Sequence, residues 1–441
     1  MPLGSRHAWV VFVASLGQLI GTGVATLAGV IIPMLNIVMK PGLSSVMQGI
    51  IGAMDLIGIM VGSVIFGKLT DKYGYILFFR LCPALVLVAS VVSALIPNDI
   101  VLITCLFFIG FGIGGEYSLD SNYTSELMPL KWKSLMVGVT KTASAFGNII
   151  VAGICYLLLI KFKNPASWPD LMWISAAIAL LMLICRIWFY QSPKWLEEQG
   201  KDKEALEAAK KFFGPDVTLP PFSDPNDNSG VSATKNTSSF YTQNWRKIML
   251  TGIPWACEGL GVYGIGVFLP ILVMSLGIEH VSKNAYPIFH VASSVEITFF
   301  ISCIILPGFL LGLWFIQLKK NICNIQIWGF LLCALSLLIL LFAHLGGWPK
   351  WISIVAFMAF ELFLNMGPHL VTYVLPPKVY PVVTRGLGTG LAASLGKLGA
   401  VLGVFIIPIL LSAGGMALVL IVSSAVMALG ALITYLFRPK F

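Results

Sequence analysis

The sequence predicts an all-α membrane protein with twelve transmembrane helices in two six-helix bundles. Three observations carry this. Twelve apolar segments fall into two sets of six, and the sets meet at one polar stretch near the middle of the 441-residue chain. Composition is 58% apolar and 11% charged, with mean hydropathy +0.90, whereas soluble domains carry roughly 25% charged residues. A short repeat also relates the halves. Glu126, Pro129, Lys133 and Gly138 recur as Lys378, Pro381, Arg385 and Gly390, each pair 252 residues apart.

The first six spans are predicted at about 8–38, 49–68, 76–96, 100–125, 135–160 and 171–190. Each has the length of roughly 20 residues that a helix needs to cross a bilayer, and the longer ones allow tilt. The first has no small-residue cleavage site after it, so it reads as a retained helix. Residues 191–247 break the pattern and hold eight of the nineteen acids. Leu196, Ala205, Leu206, Ala209 and Phe212 leave an apolar stripe there, which predicts amphipathic helices on the cytoplasmic face. From Gly214 to about Asn244 the Pro, Asp, Asn, Ser and Thr content predicts a flexible linker. The last six spans follow at about 248–276, 286–316, 323–344, 351–374, 386–411 and 415–437. The domain organisation is therefore 1–190, a linker over 191–247, and 248–441.

Charge sets the orientation. Of 28 lysines and arginines, five fall in outer loops (Lys40, Lys161, Lys163, Lys283, Lys350). Lys141 and Lys397 lie inside spans, and the other 21 fall on one side or at that side's helix ends. This asymmetry puts both termini in the cytoplasm. The net charge of +9 thus reflects topology and not nucleic-acid binding. The short termini and loops favour a prokaryotic inner membrane and a monomer. The eight cysteines form no C-x-x-C pair and read as packing residues. No Walker A motif, metal-ligand cluster or nucleophile elbow occurs. The sequence therefore points away from ATP-driven transport, a metal, a cofactor or an enzyme, and the partners are a small solute, protons and lipid.

Between spans two and three runs Gly67-Lys68-Leu69-Thr70-Asp71-Lys72-Tyr73-Gly74-Tyr75, with Arg80 beyond. This resembles the major facilitator signature G-x-L-a-D-r-x-G-r-k, and the resemblance implies the major facilitator fold. In that family the element latches the two halves, which assigns Gly67, Asp71, Gly74, Arg80, Glu126, Lys133 and Arg385 to the latch. Tyr75 stands where the signature has a base, so a weaker latch is expected. The second-half copy, Pro307 to Gly312 followed by Gln317, Lys319 and Lys320, is degraded.

Ser192-Pro193-Lys194-Trp195-Leu196 is similar to the sugar-porter signature after span six. Gly112-Ile113-Gly114-Gly115-Glu116-Tyr117 resembles the G-I-G-G-D-Y of phosphate:proton symporters. Asn365-Met366-Gly367-Pro368-His369 resembles their N-F-G-P-N, and the stretch from Ala392 to Ala400, containing Lys397, resembles their span eleven. Trp255 and Tyr263 stand where that family keeps tryptophan and tyrosine in span seven. Three positions depart from it. Span one has Gln18, Thr22 and Thr26 instead of an aspartate. Gly259 replaces the span-seven aspartate, with Glu258 one residue earlier. Ser144 stands for the span-five glutamine.

Outside the central stretch eleven acids remain, six of them within spans: Asp55, Glu116, Asp120, Glu258, Glu296 and Glu361. A charge at the bilayer centre costs about 2.5–3.5 kcal/mol on insertion scales, so these groups are expected to pair, take a proton or face a cavity. Burial favours a neutral carboxyl and a nearby lysine opposes it, and a group poised between the two can load and release a proton. Glu116 is the first candidate for coupling, followed by Glu258, with Asp55 and Asp120 behind. Asp120 lies one turn past Glu116, where Lys131 or Lys133 could satisfy it. Lys141 stands where sugar porters keep a glutamine, and three donors with a charge favour an anionic solute or a buried ion pair. Lys397 is read as an anion contact or as the partner of Glu361 or Glu258. Tyr117, Ser144, Trp255, Tyr263, Asn365 and His369 complete the candidate solute site. His369 is also a proton candidate, because imidazole titrates near neutrality.

The function expected is proton-coupled symport of a small anion, phosphate or an organic acid, by alternating access. A sugar or polyol carrier, an exporter of organic cations and a transporter-like nutrient sensor stay open.

Overall fold

The computed structural model describes residues 4–39, 42–129, 132–213, 237–276, 286–318, 321–380 and 385–439. Among these, every regular element is helical. The first half contains α1 (Ser5–Val38), α2 (Ser45–Tyr73), α3 (Tyr75–Leu95), α4 (Asp99–Leu127), α5 (Lys133–Phe162) and α6 (Met172–Cys185). Two short helices follow, α7 (Pro193–Glu198) and α8 (Asp202–Phe213). The second half contains α9 (Thr237–Gly259), α10 (Leu269–Ser275), α11 (Pro287–Cys303), α12 (Ile305–Gln317), α13 (Ile322–Leu345), α14 (Lys350–Met366), α15 (Pro368–Val374), α16 (Pro376–Val379) and α17 (Arg385–Phe437).

Eleven helical stretches among the described residues are long and apolar enough to cross a membrane. The last runs from Gly388 to Phe437 and is two spans folded at Gly414 and Gly415, where φ of −143° and 63° interrupt the helix. That restores twelve spans, six in each bundle. Helix starts follow the side chains present: Ser44 accepts from the Met47 amide, Asn98 from Ile100 and Val101, and Asn321 from Cys323. Each such cap satisfies amides that the first turn leaves without a partner. Pro33, Pro83, Pro254 and Pro408 lie within helices, which neighbouring helices make tolerable in a membrane.

Close approach between helices depends on residues without a side chain. A Cβ on Gly110 would collide with the carbonyl oxygen of Asp55, so α2 and α4 meet backbone to backbone there. Small residues serve this purpose in membranes, where lipid is as apolar as the helix surface. Within the first half α1 packs on α5, α2 on α4 and α3 on α6; within the second, α9 and α13 pack on α17. The halves meet along two seams, α2 against α17 and α5 against α11 and α12.

Three features differ from the sequence expectation. Span six ends at Cys185 and not near 190, because Arg186 turns inward and is fully buried. The helix leading into span seven begins at Thr237, inside the stretch expected to be linker, and the ring of Trp245 rests edge-on against Phe437. The rest of the expected linker, 214–236, lies outside the described residues. Third, α8 buries Ala205, Ala208, Ala209 and Phe212, the stripe read from sequence with Ala208 added and Leu206 only partly covered. Phe212 and Phe213 flank His7 at the start of α1 with ring centroids 5.7 and 5.8 Å away.

Candidate functional site

Tyr117 on α4 and Tyr263 meet across the two halves, with hydroxyls 2.9 Å apart. Tyr263 stands on a π-helical turn, Leu260–Ile265, between α9 and α10. A π turn widens the helix by one residue per hydrogen bond and recurs at functional sites. Lys397 on α17 donates to both hydroxyls, at 2.6 Å to Tyr263 and 3.2 Å to Tyr117. Its ammonium also sits 3.9 and 4.4 Å from the two ring centroids, within the range of a cation–π contact. Lys141 on α5 approaches the same tyrosine, 5.3 Å from the centroid of the Tyr117 ring and 5.5 Å from that of Tyr373. Its Nζ donates to Gln18 Oε1 at 3.4 Å. Both lysines are buried, at 3% and 4% exposure. Among the described residues no carboxylate oxygen lies within 4 Å of either ammonium, although Glu258 and Asp55 are near enough to act on them through space.

A second polar chain runs beside the first. Span ten is broken at Gly367 (φ −113°, ψ −88°), where Pro368 starts α15. Before the break, Asn365 donates through Nδ2 to the Glu361 carbonyl at 2.8 Å and to Glu361 Oε2 at 3.2 Å. Its Oδ1 faces His369 Nδ1 at 2.8 Å. The other ring nitrogen, Nε2, is 3.7 Å from Glu258 Oε1. All four side chains are buried.

A cavity of about 50 Å³ opens between the halves. At roughly 10–15 Å³ per water it has room for a few water molecules. Thr22, Thr26 and Asn148 line it from the first half, and Tyr263, Glu361, Asn365 and His369 from the second. Tyr263 and His369 are thus the wall residues that lead on to Tyr117, Lys397 and Glu258. Ser144 and Trp255 are not on the wall. The Ser144 carbonyl accepts from Thr22 at 2.7 Å, which ties α5 to α1, and the Trp255 indole packs against Gly396 beside Lys397. Asp55 is buried against the α2–α4 crossing, with Oδ1 accepting from the Leu56 amide and Oδ2 without a hydrogen-bond partner among the described residues.

Glu116 and Asp120 stand elsewhere, in a buried triad with Arg186. The guanidinium Nη2 is 2.5 Å from Glu116 Oε2 and 3.2 Å from Asp120 Oδ1. The guanidinium also lies 4.7 Å from the Phe79 ring centroid. The partner of Asp120 is therefore Arg186 and not the lysines expected from sequence. Glu116, the first candidate for coupling, is held by an arginine within the first half. Sequence reasoning missed Arg186 by counting it with the helix-end cations. The available signal was its place in the apolar run from Met172 to Phe189, which has no other charge. An arginine there needs a buried partner or a route to the interface.

At one membrane end the latch residues gather around Glu126. Tyr75 Oη donates to Glu126 Oε1 at 2.7 Å, and Ser192 Oγ donates to Oε2 at 2.6 Å. Gly74, at φ 82°, makes the turn between α2 and α3, and the Gln191 side chain packs on it while accepting from the Tyr75 amide at 2.9 Å. Tyr75 therefore does not leave a gap where the signature has a base; it joins the turn to the Ser192 element. Arg80 donates to the Ile187 carbonyl at 3.2 Å. Gly67 lies within α2. The side chains of Asp71, Lys133 and Arg385 lie outside the described ones, as do residues 319 and 320 of the second-half copy.

Comparison with known proteins agrees with this architecture. The family model described as "Sugar (and other) transporter" matches residues 7–441. The inner membrane metabolite transport protein YgcS of Escherichia coli K12 is 25% identical over 401 residues, which span 90% of this chain and 84% of that one. A repressible high-affinity phosphate permease of Neurospora crassa is 23% identical over 451 residues, spanning 91% and 77%. Among solved structures, the proton:xylose symporter XylE superposes with a TM-score of 0.78 at 18% identity, covering 99% of this chain and 96% of that one.

Proposed function

The chain belongs to the sugar (and other) transporter family, and from that premise we propose that it carries a small anion, phosphate or an organic acid, together with a proton by alternating access. It is a multi-pass transporter of the major facilitator fold and not an enzyme. The observation that carries the proposal is the pair of buried ammonium groups, Lys141 and Lys397, both over the Tyr117 ring with no carboxylate in contact among the described residues. Such charges favour an anion, and the Tyr117 and Tyr263 hydroxyls and Asn365 supply hydrogen bonds to orient it.

Coupling follows from charge balance. With Glu258 ionised, its charge offsets the lysines across a short distance. With a proton on Glu258, the lysine charges are free for the solute, so anion and proton enter together. Asp55, which also acts on Lys397 through space, is placed to share this role. Solute binds between the bundles formed by residues 1–190 and 248–441. The bundles then rock along the seams, as the repeat-based transporter design requires. Tyr75, Glu126 and Ser192 hold the first-half end of the latch. Both termini face the cytoplasm, the membrane is a prokaryotic inner membrane and the carrier works as a monomer. The phosphate permease among the relatives supports the anion reading, and Lys141 in place of a neutral amide weighs against a sugar.

The test is labelled phosphate uptake by the purified protein in liposomes, with an excess of unlabelled citrate, xylose or tetraethylammonium. Suppression by unlabelled phosphate or citrate alone supports the proposal. Uptake of labelled xylose with no anion uptake rejects it in favour of a sugar carrier.

A further inference from the structure

We infer that the transported proton is held between His369 Nε2 and Glu258, with Asn365 as the positioning residue that fixes the imidazole tautomer. The inference rests on the symport reading above and names the atoms that serve it.

Asn365 is the starting point. An amide nitrogen only donates and an amide oxygen only accepts. The group 2.8 Å from the Glu361 backbone carbonyl must be a donor, so it is Nδ2. This leaves Oδ1 against His369 Nδ1 at 2.8 Å, and that ring nitrogen must carry the hydrogen. A neutral imidazole has one N–H, so the lone pair is on Nε2. Nε2 points at Glu258 Oε1, 3.7 Å away. Two acceptors facing each other in a buried place repel unless one proton lies between them.

The remaining neighbours agree with a single proton there. The Phe309 ring on α12 covers His369 with centroids 5.3 Å apart and offers no acceptor. Glu361 is one residue removed, engaged through Asn365. Lys141 on α5 and Lys397 on α17 are the other charged groups that act on the imidazole. With the proton present the 3.7 Å gap must close to hydrogen-bond length, and the pair is then either a neutral carboxyl donating to Nε2 or an imidazolium beside a carboxylate. Its net charge is zero in both forms, and transfer along Oε1–H···Nε2 breaks one bond as it makes the other. Without the proton, Glu258 carries −1 toward the lysines. An anion on the lysines then disfavours the deprotonated pair, which is the linkage that symport needs. His369 lines the cavity while Glu258 does not, so His369 is where the proton enters or leaves.

The test is nitrogen-15 magnetic resonance of the full chain in lipid vesicles with ring-labelled histidine. There are five histidines, and the signal lost in His369→Gln assigns the one of interest. The expected result is a protonated Nδ1 and a bare Nε2 at alkaline pH, with the preference lost in Asn365→Leu and kept in Glu361→Gln, which retains the backbone carbonyl. A protonated Nε2 at alkaline pH in the unaltered chain overturns the inference. A transport arm uses labelled phosphate. His369→Gln should lose net uptake driven by a pH gradient by about tenfold or more beyond whatever it loses in exchange of labelled for unlabelled phosphate, the factor that 1.4 kcal/mol represents. Gradient-driven uptake that persists in His369→Gln also overturns it. If the unaltered chain moves no phosphate, the anion reading fails, and the tautomer measurement still decides this inference by itself.

Discussion

The hydroxyls of Tyr117 and Tyr263 lie 2.9 Å apart although the residues are 146 positions apart in the chain, and the Lys397 ammonium donates to both. This contact joins the two halves at the place where solute is proposed to bind, so it must break or reshape as the bundles rock. Tyr263→Phe removes the 2.6 Å acceptor of Lys397. A hydrogen bond to a charged group contributes about 1.5–3 kcal/mol, and 1.4 kcal/mol is tenfold. The KM for labelled phosphate is expected to rise about tenfold or more, with the protein's thermal midpoint little changed.

Arg186 supplies one positive charge between two carboxyl groups, and the three members are not equivalent. Arg186→Leu leaves Glu116 and Asp120 buried together without a cation, a loss of about 3–5 kcal/mol for a broken buried pair. Glu116→Gln leaves one arginine facing one aspartate, a one-to-one pair whose charges cancel. Thermal unfolding in detergent should therefore rank the variants with Arg186→Leu far below Glu116→Gln, which should lie close to the unaltered chain. The reverse order would show that Glu116, not Arg186, holds the cluster.

The Glu126 carboxylate accepts from both Tyr75 and Ser192. Glu126→Ala leaves both hydroxyls without that acceptor, and each such bond contributes roughly 1 kcal/mol or more. A double-mutant cycle between Tyr75→Phe and Ser192→Ala should show non-additivity of about 0.5 kcal/mol or more, as for residues in one network. Additive effects would mean that the two ends of the carboxylate act independently.

Gly110 meets the Asp55 backbone where α2 crosses α4. Gly110→Val must push the helices apart, at about 1–3 kcal/mol or more for overpacking. Reduced folded yield and a lowered thermal midpoint are expected, whereas Gly266→Ala, whose added methyl meets open space, should be neutral in that respect.

Much of this was legible in the sequence, for a physical reason. A run of some 20 apolar residues reports burial in lipid, so the twelve spans could be read with only their ends uncertain. Charged and imidazole groups inside such runs are costly, which is why Lys141, His369 and Lys397 stood out, whereas Tyr117 and Tyr263 stood out by their resemblance to the symporter motifs. What the sequence does not carry is which helix each one faces. Glu116 matched a motif acid, yet its partner arrives from α6 through Arg186, 70 residues away. Lys397 was read as an anion contact or as the partner of a carboxylate, and the contacts it makes here are to two phenols. Ser144 and Trp255 matched positions of a site and lie off the cavity wall, beside Thr22 and Gly396. The break at Gly367 could be suspected from Gly367-Pro368, but not its effect, which is to line up Asn365 and His369 toward Glu258.

The central claim is that the buried lysines receive an anion whose entry is tied to a proton. The most direct measurement is labelled phosphate uptake into proteoliposomes with and without an inside-alkaline pH gradient, for the unaltered chain, Lys397→Gln and Glu258→Gln. The account predicts uptake stimulated by the gradient in the unaltered chain. It predicts a loss of about tenfold or more in Lys397→Gln, in keeping with a charged contact of at least 1.4 kcal/mol, and uptake indifferent to the gradient in Glu258→Gln. Gradient-driven uptake of an uncharged hexose, unchanged in Lys397→Gln and with no anion transported, would contradict it.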